Sequence, residues 1–358
     1  MMTVIDPNQK KPFLKSIYNK ITGLLGSKLF HYILRKLLNA FVSFFVALTL
    51  VFYLYHVLPG NPTNIFATDP RVSPEVRENI IIKWGLDKPI HEQYFLFLKN
   101  LFLHGDLGYS FLHRKPVTDV IWDTLPWTLL LLGVALIIQT TIGILLGAYV
   151  AWRRGSKMDT TFVLSYNVYN AFPLFFIGLF FAMIFGSQAK QKGWPIYFPI
   201  FGAQDPTISS TGSTLEKIVD IALHMFLPLV TLVLFGILGW GWFMRGNLLQ
   251  VLTEDYILTA KAKGLDDNQI LYRHGMRNAI LPVVTSIGLD IGVLIGGNVL
   301  IEAVFSYPGT GFLLYEALLR HDYPVVQGAF IIISGLTLAG LFISEVLYGI
   351  IDPRIRTE

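Results

Sequence analysis

Six long apolar runs constrain the fold of this chain more than any other feature. A membrane-spanning α-helix needs about 20 apolar residues to cross about 30 Å of hydrocarbon. Runs of that length lie at residues 37–58, 125–152, 160–186, 221–244, 279–301 and 323–350. Only 15% of the 358 residues are charged, against about 25% in soluble domains. The sequence therefore predicts an all-α polytopic membrane protein with six transmembrane helices.

The basic residues between these runs are unevenly distributed, which predicts an orientation. On the side that holds both termini lie 17 of the 28 lysines and arginines, including Arg153, Arg154 and Lys157 after the second run. Positively charged residues close to transmembrane helices stay in the cytoplasm. We therefore expect a multi-pass protein of the plasma membrane with both termini cytoplasmic. A net charge of +4 that is scattered in this way does not indicate nucleic-acid binding.

These expectations divide the chain into consecutive parts. Residues 1–32 are expected to form a cytoplasmic N-terminal extension and 33–58 the first transmembrane helix. Residues 59–124 form an extracytoplasmic region, with an amphipathic helical pattern near 90–103. A five-helix core follows at 125–351, and 352–358 is a cytoplasmic tail. Within the core, 187–220 and 302–322 are predicted to be further external loops.

A polar segment separates the fourth and fifth runs on the cytoplasmic side. It reads DYILTAKAKGLDDNQILYRHGMRNAILP over 255–282. Asp255 is a candidate N-cap for a first short helix, and Gly264 is a natural residue to end it. Asp266 or Asp267 could cap a second helix that runs toward Pro282. The residues alone also allow an amphipathic connector on the membrane surface, with its basic side chains on lipid phosphates.

The sequence has no motif for catalysis or for a resident cofactor. It contains neither the phosphate-binding pattern GxxxxGK[ST] nor the zinc-binding pattern HExxH. It has no cysteine for disulfides or thiolate ligands. We predict that the chain is not an enzyme and binds no metal or cofactor of its own.

Three polar residues near the fifth run are candidates for a substrate path: Asp290, Asn298 and Glu302. A charge at the bilayer centre is costly, so Asp290 should face the bundle interior or a water-filled path. It would contact a polar substrate there, or form a hydrogen bond to a neighbouring helix. Glu302, at the outer end of the run, is predicted to be a wetted or gate-region carboxylate or a substrate contact.

Two pairs of glycines are spaced for close packing of helices. They are Gly143 with Gly147 and Gly292 with Gly296, each separated by three residues. Small residues at this spacing let the backbones of membrane helices approach closely.

Five stretches, in order, resemble the binding-protein-dependent ABC transporter permeases, specifically the oligopeptide/dipeptide branch. They are RKLLNAFVSFFVALTLVFYLYHVLPGNP, GLDKPIHEQYFLFLKNLFLHGDLGYSF, DYILTAKAKGL with RHGMRNAILPVV, IGGNVLIEAVFSYPGTGFLLYEALLRHDYPVVQG and EVLYGIIDPRIR. Together they cover about residues 33–356. The resemblance implies the type I ABC importer permease fold and import of peptides. It also implies a second homologous permease, two cytoplasmic ATP-binding subunits that hold ATP and Mg, and an extracytoplasmic solute-binding protein, with membrane lipid around the helices.

In that family, the segment that corresponds to 255–277 forms coupling helices that dock into a groove of the ATPase. The resemblance implies a coupling role for Asp255, Tyr256, Thr259, Ala260, Lys261, Ala262, Lys263, Gly264, Leu265, Arg273, His274 and Arg277. One departure is Leu258, which stands where the generic motif has Glu and the peptide branch commonly has Arg. Two alternatives remain open: the same machinery importing oligosaccharides or nickel, and a proton-coupled secondary transporter with Asp290 as proton carrier.

Overall fold

A computed structural model describes residues 28–57, 75, 78, 81–82, 85, 87–110, 112–294 and 296–351. Its elements are α1 Lys28–Val57, α2 Ile90–His104, β1 Tyr109–Ser110, β2 Lys115–Pro116, α3 Val117–Trp152, α4 Lys157–Asn170, α5 Leu174–Phe181, π1 Ala182–Gln188, α6 Ala189–Gln191, α7 Pro206–Thr211, α8 Thr214–Val251, α9 Asp255–Ala262, π2 Gln269–Gly275, α10 Met276–Leu294, α11 Val299–Val304, α12 Thr310–Leu319 and α13 Tyr323–Ile351. The predicted extension 1–32, tail 352–358 and first part of the external region 59–124 lie wholly or mostly outside the described residues.

The predicted all-α polytopic class is confirmed. In the described part of the chain, five helices are long and apolar enough to cross a membrane: His31–Leu54, Val117–Trp152, Leu174–Gln191, Thr214–Val251 and Tyr323–Val346. The fifth predicted span corresponds to α10, which is 19 residues long and ends at Leu294 rather than near 301. The sixth crossing therefore stays a prediction.

The third predicted run, 160–186, is not one helix, and this expectation is wrong. Helix α4 ends at Asn170, and α5 begins only at Leu174 after Pro173. A proline lacks the N–H that the helix ladder needs and disfavours helical backbone at the residue before it. The apolar helix is instead the continuous Leu174–Gln191, built from α5, π1 and α6.

Helices α3 and α8 form the central and most extensive helix pair of the bundle. Their backbones touch at glycines, because a Cβ built on Gly147 would lie 2.2 Å from the carbonyl oxygen of Gly241. A Cβ on Gly143 would lie 2.7 Å from the Cβ of Trp240. The predicted close approach at Gly143 and Gly147 is confirmed. In the second predicted pair, Gly296 lies in a turn after α10, so the two glycines do not lie on one helix.

The first and last spans pack against each other. The Lys36 ammonium lies 2.7 Å from Glu345 Oε1, and the Tyr32 hydroxyl donates to the Glu345 carbonyl at 3.1 Å. Lys36 is near the start of α1 and Glu345 near the end of α13, so these two helix ends lie at the same end of the bundle.

The predicted external region contains the amphipathic helix that its pattern predicts, and this helix, α2, lies against α1. The hydroxyls of Thr49 and Tyr94 are 2.7 Å apart, and His56 Nε2 lies 3.0 Å from Gln93 Oε1. A two-residue antiparallel ladder, β1 with β2, then precedes α3. It is attached to the start of α13, because the Ser110 hydroxyl donates to the Asp322 carboxylate at 2.6 Å.

Candidate functional site

The polar segment after α8 begins with a short helix that ends in a tight turn. Helix α9 is followed by Gly264 in a left-handed conformation, with φ of +72°. Gly264 N–H donates to the Lys261 carbonyl at 2.9 Å and Leu265 N–H to the Ala260 carbonyl at 3.4 Å. This is the Schellman arrangement that glycine permits at a helix end. Termination at Gly264 is confirmed, but the N-cap is Glu254, and Asp255 is the first helical residue.

The second helix of the segment starts where the sequence predicts and continues further than expected. Asp266 Oδ2 accepts from the Asn268 N–H at 3.1 Å, which confirms Asp266 as its cap. The helix then widens into π2 and continues as α10, with Pro282 inside it. The second helix of the segment is therefore continuous with α10.

A small apolar cluster fixes α9 to the rest of the bundle. Ile257, Ala260 and Ile270 are buried, and Trp152, Leu252 and Leu265 pack against them. Trp152 is the last residue of α3, and Leu252 directly follows α8. Ala260, a predicted coupling residue, therefore points inward with 4% exposure. Sequence reasoning missed Trp152, although a Trp at the end of an apolar run is a detectable signal.

The opposite face of the segment is open. Of the predicted coupling residues, the exposed ones are Asp255, Tyr256, Thr259, Lys261, Ala262, Lys263, Gly264, Arg273 and Arg277, whereas Leu265 and His274 are half-buried. Leu258 adds an apolar side chain that is 60% exposed. The Tyr256 hydroxyl accepts from Asn278 Nδ2 at 2.8 Å, which ties this face to α10. The face presents Leu258 and Tyr256 among lysines and small residues.

An ion pair that sequence reasoning missed lies near the end of α8 that leads into the segment, with Asp159 buried and Arg245 half-buried. Arg245 Nε on α8 donates to Asp159 Oδ1 at 2.7 Å, and the Gly155 N–H donates to Asp159 Oδ2 at 2.9 Å. The Arg245 guanidinium holds the pKa of the Asp159 carboxyl below its usual range, although burial acts in the opposite direction. The pair fixes the turn between α3 and α4 to α8.

Glu302 is not exposed to water, so the expectation of a wetted carboxylate is wrong, whereas a role in a gate or in substrate contact stays a prediction. It is 0% exposed. Its Oε2 accepts from the N–H groups of Gly311 and Phe312 at 2.8 and 3.1 Å, at the N-terminus of α12. Its Oε1 accepts from the Thr128 hydroxyl and the Asn298 N–H, each at 3.2 Å. The carboxylate therefore joins α3, α11 and α12, and its position at a helix N-terminus is electrostatically favourable.

Asn298 lies in the same arrangement as a helix cap. Its side-chain oxygen accepts from the Ile301 N–H at 3.1 Å and so begins α11. Asn298 and Glu302 are thus brought together, and Asp290 is not part of their hydrogen-bond network as described. Glycines make room for the carboxylate, since a Cβ on Gly309 would lie 2.3 Å from Glu302 Oε2.

Asp290 lies on a face of α10 that changes from buried to open along the helix. Ala279 and Val283 are 1% and 0% exposed. Ile287 is half-buried, and Asp290 is exposed. Positions 283 and 290 are two helical turns apart and lie almost directly above one another. The neighbouring helices therefore contact this face at the end of α10 that is nearer the polar segment and leave it open at Asp290.

The chain is similar to known transport proteins along most of its length. The family described as "Binding-protein-dependent transport system inner membrane component" matches residues 143–357, and its N-terminal companion model matches 29–132. The chain is 36% identical to the oligopeptide transport system permease protein AppB of Bacillus subtilis (strain 168), over 91% of this chain and 99% of that protein. It is 35% identical to the dipeptide transport system permease protein DppB of Escherichia coli (strain K12), over 91% and 98%. Identity to the glutathione transport system permease protein GsiC of Shigella flexneri serotype 5b is 32%, over 91% and 99%.

Proposed function

The chain belongs to the family of binding-protein-dependent transport system inner membrane components, and we propose that it imports peptides as a permease subunit of an ABC importer. The observation that carries this proposal is the match along nearly the whole chain to permeases named for oligopeptides, dipeptides and glutathione. All three substrates are peptides. They favour peptide over the oligosaccharides or nickel that the resemblance left open.

The other components of the proposed importer supply what this chain lacks. A second, homologous permease would complete the pathway, and an extracytoplasmic binding protein would deliver the substrate. Two cytoplasmic ATP-binding subunits would hold ATP and Mg and hydrolyse the nucleotide, so this chain is not itself the enzyme. Both termini and the segment 255–277 would then face the cytoplasm, in the orientation that the basic residues predict.

The geometry of the polar segment supports a coupling role. Its open face, with Leu258 and the exposed lysines, would contact the ATPase. Its buried face contacts Trp152 at the end of α3 and Leu252 after α8, and π2 continues directly into α10. The Asp159–Arg245 pair adds the start of α4 to the same unit. A displacement of α9 would therefore move the cytoplasmic ends of several helices together.

Asp290 is the best supported of the three candidate substrate-path residues. A carboxylate on a membrane helix is costly in lipid, so its exposure in the isolated chain implies a water-filled opening or a partner subunit. Its position above the buried Val283 favours an opening inside the bundle. Glu302 and Asn298 would instead act indirectly on the path, because they hold α11 and α12 in place.

Reconstitution tests the function. The chain, its partner permease, both ATPases and the binding protein are placed in liposomes, and uptake of a labelled peptide is measured. Uptake should require ATP on the ATPase side and should be reduced by unlabelled peptide, not by cello-oligosaccharide or nickel. Peptide uptake by this chain alone, driven by a proton gradient, would instead establish the secondary transporter.

A pair of glycine variants tests the coupling face. A Cβ on Gly264 or on Gly155 meets open space among the described residues, and both glycines have positive φ, +72° and +80°. Gly264→Phe and Gly155→Phe therefore carry similar backbone strain, but only the first adds bulk to the coupling face. We expect Gly264→Phe to insert normally and to lose co-purifying ATPase, while Gly155→Phe retains it. Equal retention by both variants would contradict the coupling role.

A further inference from the structure

Helix α2 exposes two large aromatic side chains on one flank. Phe95 is 66% exposed and Phe102 is 53% exposed. They are seven residues apart, so they lie almost directly above one another on the helix and form an aromatic row. The exposed Glu92 and Lys99 form a charged row with the same spacing, about 60° further around the helix axis. The aromatic row therefore lies between the charged row and the buried face that contains Phe97.

Contacts with α1 fix the level of α2 relative to the membrane. The apolar part of α1 ends at Leu54. Thr49, whose hydroxyl lies 2.7 Å from that of Tyr94, is five residues before this end, about 8 Å at 1.5 Å per residue. His56, whose Nε2 lies 3.0 Å from Gln93 Oε1, is two residues beyond it. Helix α2 is therefore attached across the end of the span, within the depth of about 5–10 Å at which interfacial amphipathic helices insert their apolar side.

The aromatic row is continuous with an exposed apolar surface of α1. In the most apolar part of α1 only 11% of the residues are buried, the lowest share among the five described spans. Leu50 and Leu54 on this helix are 64% and 62% exposed. The neighbouring Tyr53 ring stacks on the Tyr94 ring at 5.9 Å between centroids, and the Tyr94 ring lies 6.0 Å from that of Phe95. Tyrosine prefers the level of lipid headgroups. The lipid that surrounds α1 therefore reaches the aromatic row.

We propose that α2 is an interfacial helix that inserts its aromatic row into one lipid leaflet and keeps its charged row in water. This leaflet is the one at the end of α1 opposite the Lys36–Glu345 pair. Gly105 ends α2, and β1 begins four residues later. The inserted helix would therefore fix the height, relative to the bilayer, of the β1–β2 ladder that precedes α3.

Spin labelling tests the proposal, because the chain contains no cysteine and one introduced cysteine gives one labelled position. Phe95→Cys and Phe102→Cys probe the aromatic row, and Glu92→Cys and Lys99→Cys are the matched controls in the charged row. All four native side chains are exposed, so a nitroxide label at each position meets no packed neighbour among the described residues.

The labelled full-length chain, alone and assembled with its partner subunits, is placed in bilayers of phosphatidylethanolamine and phosphatidylglycerol. Electron paramagnetic resonance then measures collisions of each label with oxygen, which concentrates in hydrocarbon, and with a water-soluble nickel chelate. Labels in the aromatic row should collide more with oxygen, and labels in the charged row more with the nickel chelate. This reversal between the two rows should appear in both preparations.

Three results would overturn the proposal. A preference for the nickel chelate at both 95 and 102 would place the aromatic row in water. Similar accessibility ratios in the two rows would show that α2 does not lie with one flank in lipid. Protection of the aromatic row from both reagents in either preparation would show that protein covers it. None of these results depends on which solute is transported, so a failure here is distinguishable from a failure of peptide import.

Discussion

Ile257 and Leu258 are neighbours in the sequence with opposite surroundings, and this contrast separates the coupling role from a structural one. Ile257 is 0% exposed within the cluster that attaches α9, whereas Leu258 is 60% exposed on the open face. Truncation of each to alanine removes similar apolar volume. The two variants should nevertheless fail in different measurements.

The exposed fractions of the two side chains determine how large each effect should be. Ile257→Ala leaves a cavity and should destabilise the chain by about 2–3 kcal/mol, the lower part of the range for such changes, because the cluster is small and peripheral. Full burial of a leucine is worth about 1.5–3 kcal/mol. The exposed fraction of Leu258 therefore offers about 1–2 kcal/mol to a partner, and its loss should weaken ATPase binding about 5- to 30-fold.

Two assays on the same preparations measure these effects. Thermal unfolding in detergent should show a lower Tm for Ile257→Ala and an unchanged one for Leu258→Ala. Titration with the purified ATP-binding subunits should show the loss of affinity for Leu258→Ala. If Leu258→Ala binds the ATPase within twofold of the native chain, the open face of α9 is not the contact, and the coupling argument is refuted.

Three further predictions concern the buried contacts. Gly147→Ala should lower thermal stability by about 1–3 kcal/mol, because its methyl group meets a backbone carbonyl of α8; Gly133→Ala, where a Cβ meets open space among the described residues, is the control and should keep the native Tm. The lowered pKa of Asp159 predicts that its pair with Arg245 stabilises the chain above about pH 4, the pKa of the unfolded chain, and that this stabilisation is lost as the pH falls through the lower folded pKa. The difference in unfolding free energy between the native chain and Asp159→Asn should therefore shrink below about pH 4. A difference that stays constant with pH would contradict the stabilising role of the pair. Glu302→Gln places an amide NH2 group against one set of backbone N–H donors, so thermal unfolding should show a loss of about 1–3 kcal/mol of stability. A native Tm would exclude the anchoring role of Glu302.

The sequence by itself determined the membrane class and the local ends of the polar segment 255–282. Apolar runs of bilayer length, the glycine at 264 and the aspartate at 266 act through contacts within a few residues, and the structure confirms the helix end and the cap there. The proline at 173 is also a local signal. The expectation of one helix over 160–186 gave it too little weight against the continuous apolar composition.

Only the tertiary structure decided where the polar side chains go. Asp159 meets Arg245 across 86 residues, and Glu302 meets Thr128 across 174. A carboxylate at the end of an apolar run can face water, substrate or the backbone N–H groups of another helix, and the sequence pattern is the same in each case. The position of the loop 194–198 on π1 likewise depends on a contact between separate segments, from the Phe198 N–H to the Phe185 carbonyl. Such choices depend on packing between distant segments, which local periodicity does not record.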